Sequence, residues 1–138
     1  MTQQIKVLLV DDEKAFVDTL ALRLKMRNLA VEAVYDGTQA MAFLSQRKEN
    51  EGPDVIILDL KMPDMSGLDV LRKVKKSFPK IEVIMVTGHG SDKDAEEAKQ
   101  LGGFDFLKKP VDIETLMNRI REATRKIAGK PITGPLTY

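Results

Sequence analysis

Four apolar runs in this chain each stop at a residue able to do chemistry. Val7-Leu8-Leu9-Val10 stops at Asp11-Asp12, and Val55-Ile56-Ile57-Leu58 stops at Asp59. The run from Ile81 to Val86, interrupted only by Glu82, stops at Thr87, and Phe104-Asp105-Phe106-Leu107 stops at Lys108-Lys109-Pro110. Three carboxylates gathered at one place repel each other, so one would take up a proton or the site would cost stability. A hard divalent cation relieves this, and carboxylate and carbonyl oxygens with retained water suit Mg2+. A lone aspartate at a strand end usually caps a helix. Three from two neighbouring strands, with Lys109 from another, favour a site.

The runs themselves say how these residues meet. Continuous apolar stretches of this length are strands buried on both faces, which implies a parallel sheet covered by helices. In such a sheet the carboxyl ends of the strands point one way, and ligands bind outside them near the point where strand order reverses. Strand and helix alternate five times. The expected strands are Ile5–Val10, a short edge strand Val31–Tyr35, Val55–Leu58, Ile81–Val86 and Phe104–Leu107. The expected helices are Lys14–Arg27 with Phe16, Leu20 and Leu24 on one stripe, Thr38–Gln46 with Ala40, Met41 and Leu44 inward, and Leu68–Ser77 ended by Pro79. Helix four opens on a capping box of Ser91 with Asp94 and closes at Gly102-Gly103. The last helix starts at Asp112 and repeats Ile113, Leu116, Ile120, Ala123 and Ile127. This pattern is an α/β, single-domain, doubly wound (βα)5 sandwich with right-handed crossovers. The short edge strand after the first suggests a parallel sheet of order 2-1-3-4-5, flavodoxin-like, with the crevice between strands one and three. Asp11, Asp12 and Asp59 are then expected together.

Composition narrows the function classes. The chain of 138 residues has the size of one domain, and 43% apolar content fills one core. No apolar stretch approaches the roughly twenty residues of a membrane-spanning helix, and no signal-like start is seen. The absence of cysteine excludes disulfides, thiolate catalysis and zinc-thiolate sites, and fits a reducing, cytoplasmic setting. With 22 basic and 21 acidic residues the net charge is +1, which gives no electrostatic reason for nucleic-acid binding. The single His89 cannot build a polyhistidine metal site.

The ordered set Asp11-Asp12, Asp59, Thr87 and Lys109-Pro110, with the loop Leu60-Lys61-Met62-Pro63-Asp64-Met65-Ser66-Gly67, resembles the receiver domains of two-component response regulators. The resemblance covers Ile5 to Ala128, so a receiver domain is expected over 1–128, with 129–138 a flexible tail or the start of a linker. It implies that Asp59 is the phosphoacceptor, taking a phosphoryl group from a phosphohistidine on a histidine kinase or histidine phosphotransfer protein. It implies that Asp12 and Asp59 bind Mg2+ directly, Asp11 through water and Lys61 through its backbone carbonyl. Lys109 would pair with Asp59 and then with a phosphoryl oxygen, and the Lys109–Pro110 peptide would be cis. The chemistry is compatible, because phosphoryl transfer depends mostly on alignment and charge neutralisation.

The same resemblance makes Thr87 the hydroxyl that answers the phosphoryl group and Phe106 the switch aromatic. Phe106 has no hydroxyl to offer a partner, where many members of that family carry Tyr. Lys61 and His89, two residues after Asp59 and Thr87, would border the phosphoryl group and tune its lifetime. The blander alternatives are a core aromatic at Phe106 and exposed loop residues at Lys61 and His89. The face of helix four, strand five and helix five would bind a downstream target, an output domain or a second copy. No direct nucleic-acid binding and no membrane insertion are expected.

Three other readings compete. A haloacid-dehalogenase-type phosphatase uses an Asp nucleophile with Mg2+, Thr and Lys, but places it in Asp-x-Asp after the first strand; Asp11-Asp12-Glu13 lacks that spacing. A flavodoxin-like FMN binder needs a Ser/Thr/Gly-rich phosphate loop where two aspartates stand. A degenerate receiver that binds partners without being phosphorylated would lack signature residues that are all present here.

Overall fold

The computed structural model describes residues 4–48 and 51–125. Ten elements alternate: β1 (Lys6–Val10), α1 (Lys14–Lys25), β2 (Ala30–Val34), α2 (Gly37–Ser45), β3 (Val55–Leu58), α3 (Gly67–Ser77), β4 (Glu82–Thr87), α4 (Asp92–Gln100), β5 (Asp105–Lys108) and α5 (Ile113–Thr124). The five strands are all parallel, in the order β2-β1-β3-β4-β5. The expected doubly wound sandwich and its strand order are therefore observed. Two strands sit one residue later than the apolar runs suggest: β4 extends through Thr87 and β5 through Lys108, where Thr87 pairs with Lys108 in the ladder.

Side chains alternate across a strand, so each run divides between two cores. Val7, Leu9, Val55, Ile57, Ile84 and Val86 pack with α1 and α5; Leu8, Val10, Ile56, Leu58, Val83 and Met85 pack with α2, α3 and α4. The helices differ in how firmly they are held. α3 buries Val70, Leu71 and Val74 completely, each contributing about 1.5–3 kcal/mol; Leu71→Ala would cost about 2–5 kcal/mol. α4 buries Ala98 alone and is otherwise mostly charged. It is held at its start by the expected capping box, in which Ser91 Oγ accepts from the Asp94 N–H at 3.1 Å and Asp94 Oδ2 accepts from the Ser91 N–H at 3.0 Å. It ends near Gly102, whose φ of +97° is the left-handed conformation that favours glycine. α5 opens on Asp112, which accepts from the Thr115 N–H at 2.9 Å. The expected continuation of this helix to Ile127, the limit at 128 and the tail 129–138 lie outside the described residues. Among the described residues, no helix is long and apolar enough to cross a membrane.

Candidate functional site

The sheet ladder runs one residue past the strand ends and fixes the rim. The Asp59 N–H donates to Val10 O at 2.9 Å, the Asp11 N–H to Val34 O at 3.3 Å, and the Lys109 N–H to Thr87 O at 2.9 Å. The register Val10↔Leu58 carries Asp11 alongside Asp59. Asp11, Asp59 and Thr87 are all buried, at 4%, 3% and 0% exposure. The Lys109–Pro110 peptide is cis.

Asp59 Oδ1 accepts from the Leu60 N–H at 2.9 Å. Its backbone is closed in by Gly67, at the start of α3, whose N–H donates to Leu60 O at 2.7 Å. A Cβ on Gly67 would run into the Asp59 carbonyl oxygen and lie 2.9 Å from Leu60 Cα. Glycine at 67 is therefore a condition for α3 to start so close to the strand end. The loop between them is tied to α2 by Asp64, which accepts from the Gly37 N–H at 3.1 Å and from the Thr38 N–H and hydroxyl at 2.7 Å each. The Thr38 hydroxyl foremost, and then these amides, hold the Asp64 carboxyl down at about 2.

Oxygens of Asp11, Glu13 and Asp59 lie within 4.8 Å of one another. Two of the three carboxylates expected together, Asp11 and Asp59, are thus grouped, with Glu13 as the third member. Asp12 is exposed and is not one of this group. The turn explains the choice: Asp11 Oδ1 accepts from the Glu13 N–H at 2.9 Å, which folds the chain back over the rim. Glu13 carries no distinguishing mark in the sequence, since an acidic residue at a helix start is commonplace.

One ammonium serves these acids. Lys109 Nζ lies 2.8 Å from Asp11 Oδ2 and 2.5 Å from Glu13 Oε1. Burial pulls the Lys109 ammonium down, but hydrogen bonds to Asp11 and Glu13 outweigh it and leave the group above its ordinary value. Burial raises the Asp59 carboxyl, the Asp11 charge raises it further, and Lys109 and the Thr87 hydroxyl only partly oppose them. Asp11 is also raised, by burial, despite its contact with Lys109. Glu13 is lowered by its hydrogen bond to Lys109. Two buried carboxylates are left short of positive charge, a donor set that fits a hard cation.

Thr87 Oγ1 accepts from the His89 N–H at 3.1 Å, and its hydroxyl is one of the groups that draw the Asp59 carboxyl down against burial. Lys61 and His89 are both exposed and line one open pocket of about 380 Å³, with Met62 and Asp94, beside the Asp59 strand end. Phe106 is half-buried on β5, with its ring against Gly90.

A family model described as "Response regulator receiver domain" matches residues 7–121. The chain is 33% identical over 124 residues to the probable transcriptional regulatory protein TcrX of Mycobacterium tuberculosis, covering 90% of this chain and 51% of that protein. It spans about half the length of the curated relatives it matches. Among solved structures it resembles a response regulator receiver domain protein from Clostridium thermocellum, with TM-score 0.82, 34% identity and coverage of 88% of this chain and 95% of that one. It also resembles the signal receiver domain of a putative LuxO repressor protein from Vibrio parahaemolyticus, with TM-score 0.79, 33% identity and coverage of 90% and 95%.

Proposed function

The chain belongs to the response regulator receiver family of two-component systems, and from that premise we propose that Asp59 accepts a phosphoryl group from a phosphohistidine donor, a histidine kinase or histidine phosphotransfer protein. The observation that carries this reading is the crowding at Asp59. A buried carboxylate stands beside Asp11, a hydroxyl and an ammonium, at the carboxyl edge of a parallel sheet. In the transfer, an Asp59 oxygen forms a bond to phosphorus as the donor's phosphorus–nitrogen bond breaks. The imidazole nitrogen leaves with the electron pair.

Mg2+ would supply positive charge against both the pocket's carboxylates and the oxygens of the group being moved. By the family pattern, Asp12 and Asp59 would hold it directly, Asp11 through water, and Lys61 through its backbone carbonyl. The grouping of Asp11 and Asp59 supports this donor set. Lys109, now on Asp11 and Glu13, would turn to a phosphoryl oxygen, and Thr87 would donate its hydroxyl to another. Phosphorylation adds nearly two negative charges and three strong acceptors, so both side chains gain a better partner than they have at rest.

Those two residues stand at the ends of β4 and β5, next to the helix with the weakest anchorage. The α4–β5–α5 face is therefore the output surface in this reading, and phosphorylation shifts its population between two arrangements. A downstream protein, an output domain or a second copy would bind there. Phe106 would follow Thr87, while Lys61 and His89, which flank one pocket, would govern access of the hydrolysing water.

Incubation with a phosphorylated histidine kinase and Mg2+, followed by intact-mass analysis, tests the assignment. One added phosphoryl group is expected on the wild type and none on Asp59→Asn. Incorporation that survives that substitution would place the acceptor elsewhere.

A further inference from the structure

Among the described residues, the groups that hold the Lys109 ammonium come from the end of β1 onward to the first turn of α1. Asp11 Oδ2 lies at 2.8 Å and Glu13 Oε1 at 2.5 Å, and the centroid of the Phe16 ring is 4.2 Å away. No hydrogen bond joins Lys109 to Asp59 among the described residues. Asp59 acts on Lys109 only at longer range, through charge. Glu13 is the unexpected member. It occupies the N-cap position of α1 yet makes no capping hydrogen bond. Its side chain is 59% exposed, so burial does not force it inward. Its carboxylate is directed instead to a lysine 96 positions away in sequence.

We propose that Glu13 is a positioning residue that parks Lys109 on the β1–α1 side of the pocket and must release it when Asp59 carries a phosphoryl group. The proposal rests on the phosphoacceptor reading above. Asp11 and Phe16 complete the resting seat, a carboxylate on one side and a ring face on the other. A phosphoryl oxygen competes with Glu13 for the same ammonium. The apparent affinity for the phosphorylated arrangement is then reduced by the fraction of molecules in which Lys109 is already free. Glu13 thus sets a threshold for activation without touching the reacting atoms. A partly exposed ion pair corresponds to roughly a two- to fivefold effect.

The test is a titration of the metal-loaded protein with beryllofluoride, an analogue of the phosphoryl group, followed by NMR on wild type and Glu13→Gln. The amides of Thr87 and Gly88 report binding, and the ε-methylene signals of Lys109, shifted by the Phe16 ring, report where the ammonium sits. Wild type should bind in a Mg2+-dependent manner. Glu13→Gln should bind roughly two- to fivefold more tightly, and its Lys109 signals should move off the ring-shifted position before any analogue is added. Equal or weaker binding by the variant would overturn the proposal. So would tighter binding with the Lys109 signals unmoved, since that is plain relief of anion repulsion. A loss of about tenfold or more in Mg2+ affinity measured without the analogue would make Glu13 a cation ligand instead. Failure of the wild type to bind the analogue at all would remove the phosphoacceptor reading first, and this inference with it.

Discussion

The ring of Phe106 occupies the space that a side chain on Gly90 would need. A Cβ built on Gly90 would meet Phe106 Cζ and Cε1, the latter at 2.6 Å, and would stand 3.0 Å from Thr87 Cγ2. Gly90 does not have a left-handed backbone, so the glycine is there for contact rather than for its dihedral freedom. The contact couples the loop after β4 to the aromatic on β5. It joins the two elements whose ends carry Thr87 and Lys109.

Gly90→Ala should therefore displace the Phe106 ring with little change to the loop backbone. The cost is that of overpacking, about 1–3 kcal/mol, softened because a ring on an outer strand can rotate aside. The expected outcome is a set of amide shifts reaching β5 and α4 in the absence of any phosphoryl donor. Heteronuclear correlation spectra of the variant check it. Changes confined to residues 88–91 would mean that Phe106 does not transmit movement of this loop.

Asp59→Asn should stabilise the metal-free protein near neutral pH. Burial and then the Asp11 charge raise the Asp59 carboxyl, so the folded state binds that proton more tightly than the unfolded chain does. Stability is then lost as pH rises through the raised value, and it is regained below the ordinary carboxylate range. An amide at 59 removes the loss. A gain of about 1 kcal/mol would lift Tm by roughly 3–5 °C for a domain of this size. Melts in chelator should show the gain at neutral pH and its disappearance in acid, and added Mg2+ should raise the wild type more than the variant. A lower Tm for Asp59→Asn would contradict the electrostatic account.

The sheet order and the rim were legible because both are written in short-range pattern. Val55 to Leu58 is apolar without interruption, and the residue that ends it, Asp59, must fall at a strand end. Thr87 and Lys109 are found the same way. The contacts that hold the rim were not legible, because they join residues with no periodic signal. Glu13 looks like any acidic residue at a helix start, and only the fold brings it to Lys109. Gly67 and Asp64 sit in a loop whose composition says turn, but not that Asp59 O needs a bare Cα opposite it or that Thr38 lies within reach. Asp12 is exposed beside this group, and the tight Asp11–Glu13 turn sets Glu13 next to the buried acids, a grouping that adjacency in sequence does not foretell.

Gly67→Ala should damage both stability and the site. The obstruction is the backbone carbonyl of Asp59 and the Cα of Leu60, not the flexible end of a side chain. The added methyl must push the first turn of α3 away from the end of β3. A loss of about 1–3 kcal/mol is expected, together with a weakened 2.7 Å hydrogen bond from the Gly67 N–H to Leu60 O. Urea unfolding gives the first and amide hydrogen exchange at 67 the second. A variant as stable as wild type would show that this approach is looser than it looks.

Asp64→Asn tests how the loop bearing Lys61 and Met62 is held in place. Asp64 sits on the N-terminal end of α2, where free N–H groups and the helix dipole favour an anion. It takes two amides and a hydroxyl from Gly37 and Thr38. Its carboxyl is lowered to about 2 from an ordinary 3.8. The sign is opposite to that of Asp59: the folded state releases the proton more readily, so the contribution is present above the ordinary value and is lost as pH falls toward about 2. An amide keeps one acceptor and loses the charge. The variant should unfold at lower urea than wild type near neutral pH, and the two midpoints should converge as the medium becomes more acidic than the ordinary carboxylate value. Amide exchange at Gly37 and Thr38 should accelerate in the variant, while the capping box at α4, whose hydrogen bonds run between Ser91 and Asp94, should exchange as before. Midpoints that stay parallel across the acid range would mean that the Asp64 charge does not secure the loop, and that the neutral hydrogen bonds suffice.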